Sequence, residues 1–281
     1  MVATTTIWAD VVSNVACDGL ADVQTVVPAG GDPHSFEPSL RDRETMGNAA
    51  LIVANGLGLE ESMADIIGAV ESEGVPVLRV GESVDTIPAG ASSDTIPSGA
   101  GYDTDDPHIW FDPTRIGATL PAIADALATA GVDRTALDAC VSDFTERLAT
   151  LDTDVAAIVA SIPVEQRLLV TNHDSLSYFA DRYGFEILGS VIPSPSSLSA
   201  TNPAELEELA GVIEQTGVAT IFAETQHSST DTQALAARVG DIEVVTLQTD
   251  TLGEPAGASD TYVTWLTTTA QTIVDALRTG T

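Results

Sequence analysis

The stretch "DRTALDACVSDFTERLATLDTDVAAIVASIP", residues 133–163, decides how the rest of this 281-residue chain is read. Leu137, Val141, Phe144, Leu148, Leu151, Val155, Ile158 and Ile162 recur in steps of three and four and end at Pro163. That spacing is the period of one amphipathic helix, stopped where a proline removes a backbone donor. At 1.5 Å per residue it spans roughly 40 Å, longer than a small lobe is wide. The stretch therefore reads as a stiff spine joining two halves.

On its N-terminal side, short runs rich in Val and Ile alternate with helical patterns. Strands are expected over 2–8, 23–27, 51–54 and 77–80, and helices over 10–17, 40–48, 59–70 and 114–130. Ser39 with Asp42 three residues later has the form of a capping box. A Gly/Ser/Pro-rich segment, 82–105, carries "DTIP" at Asp85 and again at Asp94 and reads as a surface loop. On the C-terminal side the pattern repeats, with strands over 168–171, 186–191, 219–223 and 243–247 and helices over 175–183, 203–215, 230–239 and 260–278. Asn202 before Pro203 suits a helix start, and Gly184 and Gly217 suit helix ends.

Strand–helix alternation of this kind signals parallel βα units. The expected fold is α/β: two (βα)4 lobes with parallel sheets, joined by one long rigid linker helix. Residues 1–132 would form the first lobe, 133–162 the linker helix and 163–281 the second lobe.

The chain holds 42 acidic residues against ten basic ones, a net charge of −32, and all ten basic residues are arginine. Such a surface cannot replace phosphate counterions, which excludes nucleic acid and anionic membranes as partners. Because the acids are spread along the whole sequence, they fit a halophilic protein better than a local cation trap. Cys17 and Cys140 are too few for a disulfide framework; they read as small buried residues, with a single bond between them as the second option. No apolar run is long enough to span a membrane. No charged-then-apolar leader precedes the strand-like run at Val2, so the protein is either cytosolic or relieved of its export signal.

Four histidines occur in the chain, and two sit in near-copies of one phrase: His34 in "DPHSFEP" and His108 in "DPHIWFDP". His173, in "LLVTNHDSLSYF", directly follows an expected strand, and Asp250, in "VVTLQTDTLG", follows the last one. All four fall past strand carboxyl ends, where ligand sites of open parallel sheets collect. Two come from each lobe, so the site is expected in the cleft between the lobes. Three imidazoles and one carboxylate suit a first-row divalent ion, zinc above all. Pro33 and Pro107 restrict the backbone just before each ligand and remove a competing N–H. His227 reads as a rim residue, Glu224 as either a plain strand-end carboxylate or a partner orienting an imidazole, and Asp103–Asp106 as solvated charge.

Taken in order, "AGGDPHSFEPSLRD", "DPHIWFDP", "TNHDSLSYFADRYG", "IFAETQHSS" and "TDTLGE" resemble the zinc/manganese-type substrate-binding proteins of ABC metal importers. The resemblance covers nearly the whole chain and places metal ligands at His34, His108, His173 and Asp250. It implies a non-enzymatic, monomeric lipoprotein at the extracellular face of the cell membrane that passes Zn2+, or Mn2+, to a permease and its ATPase. His at position 173, where manganese-type members tend to carry Glu, points to zinc. The loop 82–105 lacks the histidines of many zinc-type members, and Thr225 and His227 depart from the family's usual Pro and Phe.

Two other functions use the same residues. A zinc hydrolase would need an open fourth position, which a fourth protein ligand at Asp250 closes. A protein that holds metal only for stability would fail to fold when empty, whereas a carrier must survive without its cargo and release it in acid as the imidazoles protonate. The charge makes its own prediction: the melting temperature should fall on transfer from molar salt to dilute buffer, where self-repulsion is unscreened. Equal melting in both, followed by circular dichroism, would exclude the halophilic reading.

Overall fold

The computed structural model describes residues 1–90, 104–226 and 228–279. The chain divides into two compact units. Unit 1 takes Met1–Asp85, Asp112–Asp152 and Asp250–Trp265, and unit 2 takes Thr86–Phe111, Thr153–Thr249 and Leu266–Thr281. Most of the loop expected over 82–105, including the second "DTIP", lies outside the described residues.

In unit 1 the strands β1 (Val2–Ala3), β2 (Gln24–Thr25), β3 (Ile52–Ala54) and β4 (Val77–Arg79) form one parallel sheet in the order β2-β1-β3-β4. The first strand is shorter than expected. Thr5 is not its continuation but a helix cap: its side chain accepts from the Trp8 N–H at 3.4 Å, and α1 (Thr6–Val15) begins there. A run of β-branched threonines thus serves as a cap rather than as strand. The helices α2 (Leu40–Gly47), α3 (Ala64–Ser72) and α4 (Pro113–Thr129) follow. The expected capping box is present at α2, where Ser39 accepts from the Asp42 N–H and Asp42 accepts from the Ser39 N–H. The core packs Val2, Val27, Ile52 and Val70 with Met46 and Met63.

The carboxyl ends of β1 and β3 are tied together by one buried carboxylate, Glu60. Its Oε1 accepts from the Thr4 hydroxyl at 2.7 Å and the Asn55 N–H at 2.7 Å, and its Oε2 accepts from the Gly56 N–H at 3.0 Å. Asn55 is held in turn by the Trp8 indole, 3.0 Å away. Burial raises the Glu60 pKa above its ordinary 4.5, against the pull of those donors.

The long helix is present as α5 (Arg134–Val159), which passes from unit 1 into unit 2 between Asp152 and Thr153. Its buried stripe is Leu137, Cys140, Phe144, Leu148, Leu151, Val155 and Val159. Cys140 and Val159 thus stand in for the expected Val141 and Ile158. The reading of the cysteines as unpaired residues is corrected: Cys17 and Cys140 form a disulfide within unit 1, with Cα atoms 5.8 Å apart. Positions 140 and 141, three and four residues after Leu137, lie about 100° apart on opposite edges of the buried stripe, and the bond to Cys17 lies on the cysteine's edge.

In unit 2, β5 (Leu168–His173), β6 (Glu186–Ile192), β7 (Thr220–Glu224) and β8 (Glu243–Leu247) form a second parallel sheet in the order β6-β5-β7-β8. It is flanked by α6 (Ser177–Tyr183), α7 (Pro203–Thr216), α8 (Thr230–Val239) and α9 (Tyr262–Thr279), the last of which begins in unit 1. Asn202 caps α7, and Gly184 and Gly217 end their helices in the left-handed conformation that glycine adopts without a Cβ clash. Val170, Leu188, Val191, Leu209, Ile213 and Ile221 pack its core. In this order the chain runs outward from β5 to β6, then returns to the other side of β5 for β7. Parallel sheets open a ligand-accepting crevice at the carboxyl ends of two such strands.

Two outcomes follow. Replacing both cysteines by serine should lower unfolding free energy by about 2–5 kcal/mol in urea melts; an unchanged midpoint would mean that the bond does not form. Glu60 holds its proton more tightly folded than unfolded, so its contribution is full below the unfolded value and is lost as pH rises through the folded one. The stability difference between wild type and Glu60→Gln should therefore move in the variant's favour as pH rises above the ordinary value of 4.5; a difference that does not change with pH would refute the shift.

Candidate metal centre

The centre is built from the strand ends of unit 2. His173 is the last residue of β5 and Glu224 the last of the adjacent β7. Their side chains meet, with His173 Nδ1 2.6 Å from Glu224 Oε2, while Glu224 Oε1 accepts from the Ser175 hydroxyl at 3.1 Å. Both groups are buried.

His108 arrives on the second Asp-Pro-His phrase. Asp106 Oδ1 accepts the His108 backbone N–H at 2.8 Å and lies 2.7 Å from His108 Nδ1. One carboxylate oxygen thus shapes the turn and holds the ring. Pro107, which has no N–H, cannot compete for that oxygen. The Asp106 carbonyl accepts from the Tyr178 hydroxyl at 2.7 Å, and the same hydroxyl accepts from the Ile87 N–H at 3.1 Å. Trp110 stands edge-on to His108, with ring centroids 5.2 Å apart, and its indole donates to the Thr249 carbonyl at 2.9 Å.

These supports bring His108 Nε2 and His173 Nε2 to 3.2 Å from one another, with no exposed surface on either ring. The hydrogen-bond network assigns the tautomers: each Nδ1 donates its proton to a carboxylate, so each Nε2 carries a lone pair. Two lone pairs facing at this distance away from water repel unless an electrophile lies between them. Two nitrogen ligands of a tetrahedral ion with 2.0–2.1 Å bonds stand roughly 3.3–3.4 Å apart. The pair has the geometry of a chelate.

Asp174, next to the ligating strand end, is buried and accepts from the Ser177 hydroxyl at 3.2 Å. Burial pushes its pKa up to about 6, and the negative charge of Asp106 adds to the rise, opposed by His108.

Unit 1 carries the other two candidates. His34 is buried, its N–H donates to Asp32 Oδ1 at 2.9 Å, and its carbonyl accepts from the Ser62 hydroxyl at 2.6 Å. Asp32 therefore shapes its turn as Asp106 does. The two phrases differ at the ring: the second Asp32 oxygen accepts from Ser35, and His34 Nδ1 faces Glu61 at 3.7 Å. Asp250 is also buried, and its neighbour Thr251 accepts from the Gly30 N–H at 2.9 Å. Leu252 donates to the Thr6 hydroxyl at 2.7 Å. The His34 and Asp250 loops are thus bonded to each other within unit 1.

Residues 1–276 match the family described as zinc-uptake complex component A, periplasmic, or ZnuA. The chain belongs to this family. The zinc-binding protein TroA of Treponema pallidum is 30% identical over 99% of this chain and 88% of its own length. The manganese-binding lipoprotein MntA of Halalkalibacterium halodurans is 25% identical over the same shares. The solved structure of TroA superposes with a TM-score of 0.86 at 29% identity, covering 98% of both chains. A manganese-bound periplasmic protein from Candidatus Liberibacter asiaticus shares the fold, with a TM-score of 0.82 at 23% identity and 98% coverage of both chains. ZnuA-family proteins are uptake components, which sets the hydrolase alternative aside.

Against that family background, Asp106 is the residue that sequence reading misplaced. Expected in a solvated acidic run, it is fully buried against His108. The signal was available in "DPH" itself, since an Asp two residues before a ligand can accept that ligand's N–H. Glu224 takes the second of its two readings, the orienting partner. His227 and Asp103 lie outside the described residues.

Proposed function

We propose that this chain captures a divalent transition metal outside the cytoplasm, Zn2+ first, and hands it to an ABC-type permease driven by its ATPase. The ligands are His34, His108, His173 and Asp250. One observation carries the reading: two buried imidazoles whose lone pairs face each other at 3.2 Å while both outer nitrogens are committed to carboxylates. Membership of a zinc-uptake family supports the transport role. Three nitrogens with one carboxylate oxygen favour zinc over manganese in intrinsic affinity. Manganese is the second reading, because relatives such as MntA are named for it.

The extracytoplasmic setting is supported by the Cys17–Cys140 disulfide, a bond that oxidising compartments maintain and reducing cytosol does not. Relatives named as lipoproteins favour a lipid anchor at the outer face of the membrane. A monomer suffices, since all four ligands come from one chain.

Competitive titration of metal-free protein with Zn2+ and Mn2+ in molar salt tests the proposal. One equivalent of zinc should bind and raise unfolding free energy by about 2.7 kcal/mol at a hundredfold excess over the dissociation constant. His173→Ala should abolish both effects. Unchanged zinc binding in a variant lacking His34, His108 and His173 would overturn the assignment. Tighter manganese than zinc binding would transfer it to the second reading.

A further inference from the structure

Both imidazoles of unit 2 are backed by a buried carboxylate that the chelate itself leaves unused. Asp106 Oδ1 lies 2.7 Å from His108 Nδ1, and Glu224 Oε2 lies 2.6 Å from His173 Nδ1. The two carboxylates come from different parts of the chain, one from the turn before its histidine and one from a neighbouring strand. Each is itself held, Asp106 through its carbonyl by Tyr178 and Glu224 by Ser175. In unit 1 the equivalent aspartate, Asp32, accepts the His34 N–H through Oδ1 and the Ser35 hydroxyl through Oδ2, while His34 Nδ1 faces Glu61 at 3.7 Å. Ring support of this kind is therefore not a by-product of the Asp-Pro-His turn.

We infer that Asp106 and Glu224 are positioning residues that set how strongly zinc is preferred over manganese. The inference rests on the metal-binding reading above. A carboxylate accepting the Nδ1 proton fixes the tautomer and draws that proton outward, which raises electron density at Nε2 and strengthens it as a donor. Zinc gains more from a stronger imidazole donor than manganese, which prefers oxygen ligands. Removing the negative charge while keeping the shape should weaken zinc binding more than manganese binding.

Asp106→Asn and Glu224→Gln make that change, because the amide oxygen can still accept from Nδ1–H and the amide nitrogen replaces the second carboxylate oxygen. Each variant is titrated with Zn2+ and with Mn2+ in molar salt, and each is loaded with Co2+ for its visible spectrum. Zinc affinity should fall by about 10- to 100-fold in each variant. Manganese affinity should fall less, so the zinc-to-manganese ratio drops, and the cobalt bands should shift as the ligand field weakens. An equal loss for both metals with an unshifted cobalt spectrum would reduce the carboxylates to a structural role and overturn the inference, as would wild-type affinities in both variants. Because the carboxylates sit on separate segments, one folded variant is enough to decide. Failure of the underlying reading is distinct: wild-type protein would then bind zinc no better than His173→Ala.

Discussion

Two nitrogen lone pairs held 3.2 Å apart in a buried place are a conflict that the fold maintains instead of relieving. Water could separate them or a proton could bridge them, yet the rings are enclosed and each proton is drawn to the far side by a carboxylate. The interaction that governs this centre is therefore the Nδ1–H···carboxylate contact. It decides where the proton is, hence where the lone pair is, hence that a cation resolves the repulsion. A strand end, a turn, a tyrosine and a serine all serve to hold two carboxylates in place.

The sheet topology explains why such a contact is possible. In unit 2 the order β6-β5-β7-β8 places the ends of β5 and β7 side by side, though two helices and the strand β6 separate His173 from β7 in the chain. The corresponding ends in unit 1, after β1 and β3, are occupied by Glu60, which accepts from Thr4, Asn55 and Gly56. The same place in two similar sheets thus carries a buried glutamate with opposite employment. One is fully engaged in closing the backbone, and the other orients an imidazole.

The Asp-Pro-His phrases show how a repeated motif can share one function and diverge in a second. Both aspartates accept the N–H of the histidine two residues on, at 2.9 Å for His34 and 2.8 Å for His108. Only Asp106 also reaches the ring of its own histidine among the described residues. Local backbone geometry is encoded in the tripeptide, whereas whether the turn-forming oxygen also reaches the ring depends on the surroundings.

Periodicity alone determined the α/β class, the two groups of four strands, the long helix and most helix ends, because alternation, capping residues and glycine stops act over a few residues. The motifs also singled out His34, His108, His173 and Asp250, from a repeated phrase and from places at or beyond the expected strand ends. Periodicity misjudged Thr5, where cap and strand propensities compete, and Cys140, where residues 140 and 141 suit the buried face almost equally. Only the tertiary structure decided the Cys17–Cys140 bond, the burial of Asp106 and the pairing of Glu224 with His173. Each of these joins groups whose meeting depends on packing, and packing is set by the whole unit, not by any local run of residues.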